Sequence, residues 1–241
     1  MFTDKNILIT FDIDATLLKV PRTNNCHSHS IQKAMFNIFG IDENISDYVG
    51  YKFHGMSDKT IINSIVEKSN KTCKCNDELV QEMIKKSEEH FVKDFNHEVE
   101  VLNGVERLLK DLSSFTNVDL SICSGNLPKI GEEKLKAAGL WDYFKNSCCG
   151  WGLVENRKDI LQNALYDTMN KRHKKYDVLI HVGDAFQDYQ CAIDMDEAEK
   201  EMKIFPIVVL TGACRDFPEN AIVLNNLDEG HDNFINIITK V

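Results

Sequence analysis

The feature that most constrains this chain is a recurring pair: a short, nearly continuous apolar run, then a segment of helical period. "ILITF" from Ile7, "VLIHV" from Val178 and "IVVL" from Ile207 are apolar almost throughout, as strands covered on both faces must be. "VDLSIC" at 118 to 123 alternates instead, with Asp119 and Ser121 opposite Val118, Leu120 and Ile122, which predicts a strand less completely covered at its start. The intervening segments repeat apolar residues at helical spacing: Val101, Val105, Leu108 and Leu112; more loosely Ile130, Leu135 and Ala138; then Ile160, Ala164, Leu165 and Met169. Such alternation predicts an α/β fold with a doubly wound, mainly parallel sheet, whose ligands bind outside the carboxyl ends of the strands.

One stretch breaks the pattern. From about Val20 to His97 the periods are helical and no strand is evident: Ile31, Met35, Ile38 and Phe39; Ile61, Ile62, Ile65 and Val66; Leu79, Met83, Ile84 and Phe91. The expected organisation is therefore an α/β core from residues 1–18 and 98–241 with a helical insertion at 19–97, hinged near Leu18 to Val20 and Asn96 to Glu98. An insertion directly after the first strand sits above that strand's carboxyl end and can cover what binds there.

Composition narrows the class. The 241 residues carry a net charge of −10, which argues against a protein that wraps nucleic acid or lies on anionic lipid. No apolar stretch approaches the length of a membrane span, and the short N-terminal run contains Asp12 and Asp14, unlike a signal peptide; a cytoplasmic monomer or homodimer is expected. Eight cysteines scattered through such a chain read as reduced thiols. "CKC" at 73 to 75, "CC" at 148 to 149 and "CHSH" at 26 to 29 lack the spacing of a structural zinc site, and the acidic run from Asp194 has no regular spacing for an ion.

The chemistry concentrates at strand ends. "FDIDATLLKV" places Asp12 and Asp14 directly after the first strand, where two carboxylates are costly unless a cation or a shared proton compensates. "HVGDAFQDYQ" repeats the arrangement with Asp184 and Asp188, and "SICSGN" brings Ser124 and Gly125 to a third strand end. An oxygen-rich, sulfur-free cluster of this kind suits Mg²⁺.

These residues resemble the haloacid dehalogenase superfamily. "DIDAT" at 12 to 16 is similar to its first motif, "SGN" at 124 to 126 to its second and "GDAFQD" at 183 to 188 to its fourth, in the family's order. "ENRKDIL" holds a basic residue between the second and fourth, supplied by Arg157 or Lys158; an Arg-x-Asp-Leu pattern in a subset of members favours Arg157. "GMSDKTI" at 55 to 61 and "VLNGVERLLKDL" at 101 to 112 look like its phosphoglycolate-phosphatase-like branch, and the helical insertion is similar to its cap domain over a Rossmann-like core. The resemblance implies Asp12 as nucleophile, Asp14 as acid and base, and Thr16 bracing the loop beside the phosphate site. It also implies Ser124, Gly125 and the basic residue at the phosphoryl oxygens, and Mg²⁺ held by Asp12, the Asp14 carbonyl and Asp184, with Asp188 in support.

Asp14 favours phosphate esters over haloacids, because an alkoxide leaving group needs a proton donor. The expected activity is hydrolysis of a small phosphorylated metabolite through an aspartyl-phosphate; the alternatives are a sugar-phosphate mutase, or a binding protein on the same fold. Arg22, Lys52, His54 and Lys59 are the polar cap residues for choosing the substrate. Ala15 stands where the motif usually has Gly, and a positive φ there would strain an Ala by about 1 kcal/mol or more.

Overall fold

The computed structural model describes residues 4–19, 25–50, 55–71 and 75–241. Five strands form one parallel sheet: β1 (Ile7–Phe11), β2 (Val118–Ile122), β3 (Val178–Gly183), β4 (Lys203–Val209) and β5 (Ile222–Leu224), in the order β2-β1-β3-β4-β5. All five residues of β1 are buried, as its unbroken apolar run requires. They divide by the two-residue period of a strand. Ile7, Ile9 and Phe11 pack with α5 (Val105–Leu112) and α9 (His231–Lys240), while Leu8 packs with α7 (Arg157–Arg172) and α8 (Phe186–Ala198).

Register decides where the site falls. Phe11 pairs with Ile122 of β2 on one side and with Val182 of β3 on the other, so the three strands end level. The chain runs from β1 to β2 on one side and later to β3 on the other, which opens a crevice at the carboxyl end of β1.

The insertion contains four helices among the described residues: α1 (Cys26–Phe39), α2 (Ile45–Val49), α3 (Asp58–Ser69) and α4 (Asn76–Asp94). Their apolar faces form a separate cluster around Met35, Ile62, Ile65, Val66 and Met83, which Leu127 and Ile130 at the start of α6 (Pro128–Ala137) complete. The first turn of α6 is thus the seat on which the helices of the insertion rest, reinforced by Glu88 of α4, which accepts from the Lys129 N–H at 3.1 Å.

Three details depart from the sequence expectation. Val101 lies ahead of α5 and bridges Leu18 instead of starting the helix. β2 is less covered at its start, as expected, with Val118 only partly buried, but Asp119 on its alternating face is buried because Arg172 and Lys174, each at 2.8 Å, and the Tyr176 hydroxyl, at 3.0 Å, satisfy its carboxylate. β5 and α9 were not anticipated: three residues at a sheet edge, Val223 among them 39% exposed, are too few for an apolar run. Among the described residues no helix is long and apolar enough to cross a membrane, and all the cysteines are free thiols.

Candidate active site

Asp12 follows β1 and is 6% exposed. After it, residues 13–18 turn tightly: the Ala15 N–H donates to the Leu18 carbonyl at 2.7 Å and the Leu18 N–H to the Ile13 carbonyl at 2.9 Å. That turn brings Asp14 back toward the strand end, and Ala15 adopts φ +62°, the left-handed region where glycine is the unstrained residue. The Thr16 hydroxyl is buried and donates to Asp184 at 3.4 Å, so it braces the loop against the end of β3.

Asn156 caps α7 by accepting the Lys158 N–H at 3.0 Å, which makes Arg157 the first residue of that helix and points it into the crevice. Its guanidinium lies 3.0 Å from Asp12 Oδ1 and donates through Nε to Asp188 Oδ1 at 2.9 Å. Of the two basic residues, Arg157 lines the cavity and Lys158 does not. Asp188 sits in the first turn of α8, turned back to accept the Ala185 N–H at 3.0 Å, with His181 Nε2 3.2 Å away. A side chain at Gly183 would place its Cβ 2.2 Å from this carboxylate, so the glycine before Asp184 is what lets Asp188 fold in. Gly212 does the same for Asp184, whose carboxylate occupies the space a Cβ would need.

One oxygen from each of Asp12, Asp184 and Asp188 lies within 4.8 Å of the others, a set able to hold a metal ion. Burial pushes the Asp12 carboxyl up to about 6, Arg157 opposing and the other acids adding to the rise. Burial, then the charges of Asp12 and Asp188, push Asp184 up to about 8. Asp188 is held well below the usual range, because Arg157 and His181 outweigh its burial. The unmet demand for positive charge therefore sits on Asp12 and Asp184, and an oxygen-only donor set with that deficit fits Mg²⁺.

Asp14 is a different case. Burial would raise its pKa, but the Lys134 ammonium beside it, with hydrogen bonds from Lys134 and Asn126, brings it down to about 2. Asn126 Nδ2 donates to Asp14 at 2.9 Å and to the Ser124 hydroxyl at 2.8 Å, which joins the end of β2 to the acid pair. Ser124, Gly125 and both acids line a cavity of about 850 Å³. Helices α1, α3 and α4 roof it with Ile31, Ile61, Phe91 and the imidazole of His27. Asp58 at the start of α3 is tied to the floor: its N–H donates to the Gly125 carbonyl at 2.8 Å and its carboxylate accepts from the Leu127 N–H at 2.7 Å.

Arg22, Lys52 and His54 lie outside the described residues; Lys59 uses its N–H on the Gly152 carbonyl at 3.1 Å and does not line the cavity. Sequence reasoning missed Lys134, Asn126, His27 and Asp58. The signal for Lys134 was the loose period of its helix, where a lysine four residues after Ile130 occupies the inward face.

An acid-lined cavity over the switch point of a parallel sheet is the arrangement of an α/β enzyme. The chain belongs to the haloacid dehalogenase-like hydrolases, whose sequence profile matches residues 9–196. No curated protein matches it in sequence. Its fold is that of CbbY from Rhodobacter sphaeroides, solved with phosphate, at 14% identity over 94% of this chain and 96% of that one, TM-score 0.62. A predicted phosphatase from Clostridium acetobutylicum is similar at 22% identity over 97% and 100%, TM-score 0.61. A provisional β-phosphoglucomutase from Bacteroides vulgatus is similar at 16% over 99% and 91%, TM-score 0.64.

Proposed function

We propose that this protein is a Mg²⁺-dependent phosphomonoester hydrolase acting on a small phosphorylated metabolite through an aspartyl-phosphate on Asp12. The observation that carries the reading is the pair Asp12 and Asp14 at one strand end, one carboxylate facing Arg157 and the other facing Lys134, below a cavity roofed by α1, α3 and α4. Two acids in such different surroundings suit two roles.

Asp12 Oδ attacks phosphorus as the bond to the leaving oxygen breaks, and Asp14 protonates that oxygen. The substrate-free site holds Asp14 as a carboxylate. A phosphate monoester arriving as the monoanion brings both the proton and the negative charge that raises Asp14's affinity for it. In the second half, Asp14 takes a proton from water as the water oxygen attacks phosphorus, freeing phosphate and restoring the Asp12 carboxylate. Arg157, the Ser124 hydroxyl and the Gly125 N–H would bind phosphoryl oxygens, and Thr16 would keep Asp184 aligned. Mg²⁺, held by Asp12, the Asp14 carbonyl and Asp184 with Asp188 in support through Arg157, would neutralise charge on the transferring group.

The roofed cavity and the fold shared with a provisional phosphoglucomutase support a second reading, a sugar-phosphate mutase that shields its phosphoenzyme from water. A panel of phosphate esters, including phosphoglycolate, sugar phosphates and nucleotides, assayed with and without Mg²⁺, separates the two. A hydrolase releases phosphate only with the metal. A mutase retains phosphoenzyme and passes it to a sugar phosphate.

A further inference from the structure

Lys134 has no assigned part in phosphoryl transfer, yet it is 8% exposed and its ammonium faces four acceptor atoms on three residues. Nζ lies 2.9 and 2.7 Å from the two Asp14 oxygens, 2.8 Å from Asn126 Oδ1 and 3.1 Å from His27 Nδ1. An ammonium has protons to give and no lone pair, so each partner must accept. His27 Nδ1 is therefore the acceptor, the ring proton sits on Nε2, and Nε2 donates to Asp58 Oδ2 at 2.8 Å. Asp58, 3% exposed, also receives the Leu127 N–H at 2.7 Å. The row Asp58, His27, Lys134, Asp14 thus passes from α3 through α1 to α6 and ends on the loop after β1. Every buried side-chain nitrogen and oxygen among the described residues has a partner.

We propose that Lys134 is a positioning residue for Asp14, and that His27 and Asp58 hold it in place only while α1 and α3 cover the site. This rests on the phosphoryl-transfer reading above. The carboxylate of Asp14 faces a cavity and is half-buried, so without Lys134 it loses its counter-charge and is free to rotate toward solvent. The side chain that aligns it is itself held from the roof: lifting α1 off the floor breaks the link from His27 to Lys134, and lifting α3 breaks the link from Asp58 to Leu127. A lysine kept only for stability would need no partner from either roof helix.

The test uses the full chain with Mg²⁺, p-nitrophenyl phosphate and an alkyl phosphate. Lys134→Met should lower kcat for the alkyl ester by about 100-fold, lower the p-nitrophenol burst only a few-fold, and leave KM within about threefold, because only the poor leaving group needs a well-placed acid. His27→Leu should lose about tenfold, whereas His27→Gln, whose amide can accept from Lys134 and donate to Asp58, should keep most of the activity. A fall in the p-nitrophenol burst as large as the fall in kcat for the alkyl ester in Lys134→Met, or no difference between the two His27 variants, overturns the proposal. A crystal structure of Lys134→Met gives a readout independent of turnover. Asp14 should leave Asn126 Nδ2, and an Asp14 that stays there overturns the proposal whatever the esters do. Wild-type protein that hydrolyses neither ester would instead sink the hydrolase reading, and the crystal structure would still decide the role of Lys134.

Discussion

On the floor of the cavity, Asp12, Asp14, Asp184 and Asp188 meet Arg157 and Lys134, whereas the roof from α1, α3 and α4 presents Ile31, Ile61, Phe91 and Phe95, with His27 and Asp58 drawn into the seam. The floor is set by strand register: once Phe11, Ile122 and Val182 lie level, the residues just beyond them must converge. The roof is set by helix packing, which fixes a surface without dictating which polar groups it carries. On the proposed reading, the difference teaches that the floor specifies a reaction class, while the roof selects the molecule and aligns the acid.

The comparison breaks most visibly at Arg157. Removing its charge from beside Asp12 should cut turnover about 100- to 1,000-fold, while Lys158→Ala, one residue away and outside the cavity, should change it less than twofold. Steady-state rates on one phosphate ester decide this, and the reverse result would move the phosphoryl contact to the neighbouring residue.

A smaller effect follows from the charge deficit. Asp12 and Asp184 hold protons in the native protein up to about pH 6 and 8, whereas the unfolded chain releases them near 4. Between those values the native state binds more protons, so the stability of metal-free protein should fall as pH rises from about 4 to 8. Mg²⁺ competes with the same protons, so its stabilisation should be larger at pH 8 than at pH 6, measured as a rise in Tm. An equal rise at both pH values would place the ion elsewhere.

The smallest effect concerns the turn between floor and hinge. Ala15 at φ +62° should be relieved by Ala15→Gly, which stabilises the fold by about 1 kcal/mol after the added freedom of the unfolded chain is deducted. Denaturant unfolding checks it, and a loss of stability would show that the turn tolerates Ala without strain.

The same contrast explains what could be read from the sequence. β1, β3 and β4 were legible because strands buried on both faces leave nearly unbroken apolar runs; Asp12 and Asp184 were picked out by their position past the first two of these, and Ser124 by its position past the alternating β2. The departure at Ala15 also pointed to its consequence, since a motif that favours Gly marks a positive φ. Asp58 was hidden because an acid after an N-cap serine looks like ordinary capping; its tie to Leu127 spans 69 residues of sequence. His27 stood in a segment weighed only for metal spacing, and its partner Lys134 lies 107 residues away. Pairings of that range depend on how the insertion docks on α6, which no local pattern encodes.

The most direct test of the central claim is the intact mass of Asp14→Asn after mixing with p-nitrophenyl phosphate and Mg²⁺. With the acid and base gone but Asp12 intact, the first transfer proceeds to an activated leaving group and the water step stalls. The variant should gain the mass of one phosphoryl group on Asp12, and the double variant carrying Asp12→Asn should gain none. An unmodified Asp14→Asn chain that still releases p-nitrophenol at the wild-type rate would contradict the assignment of the two carboxylates.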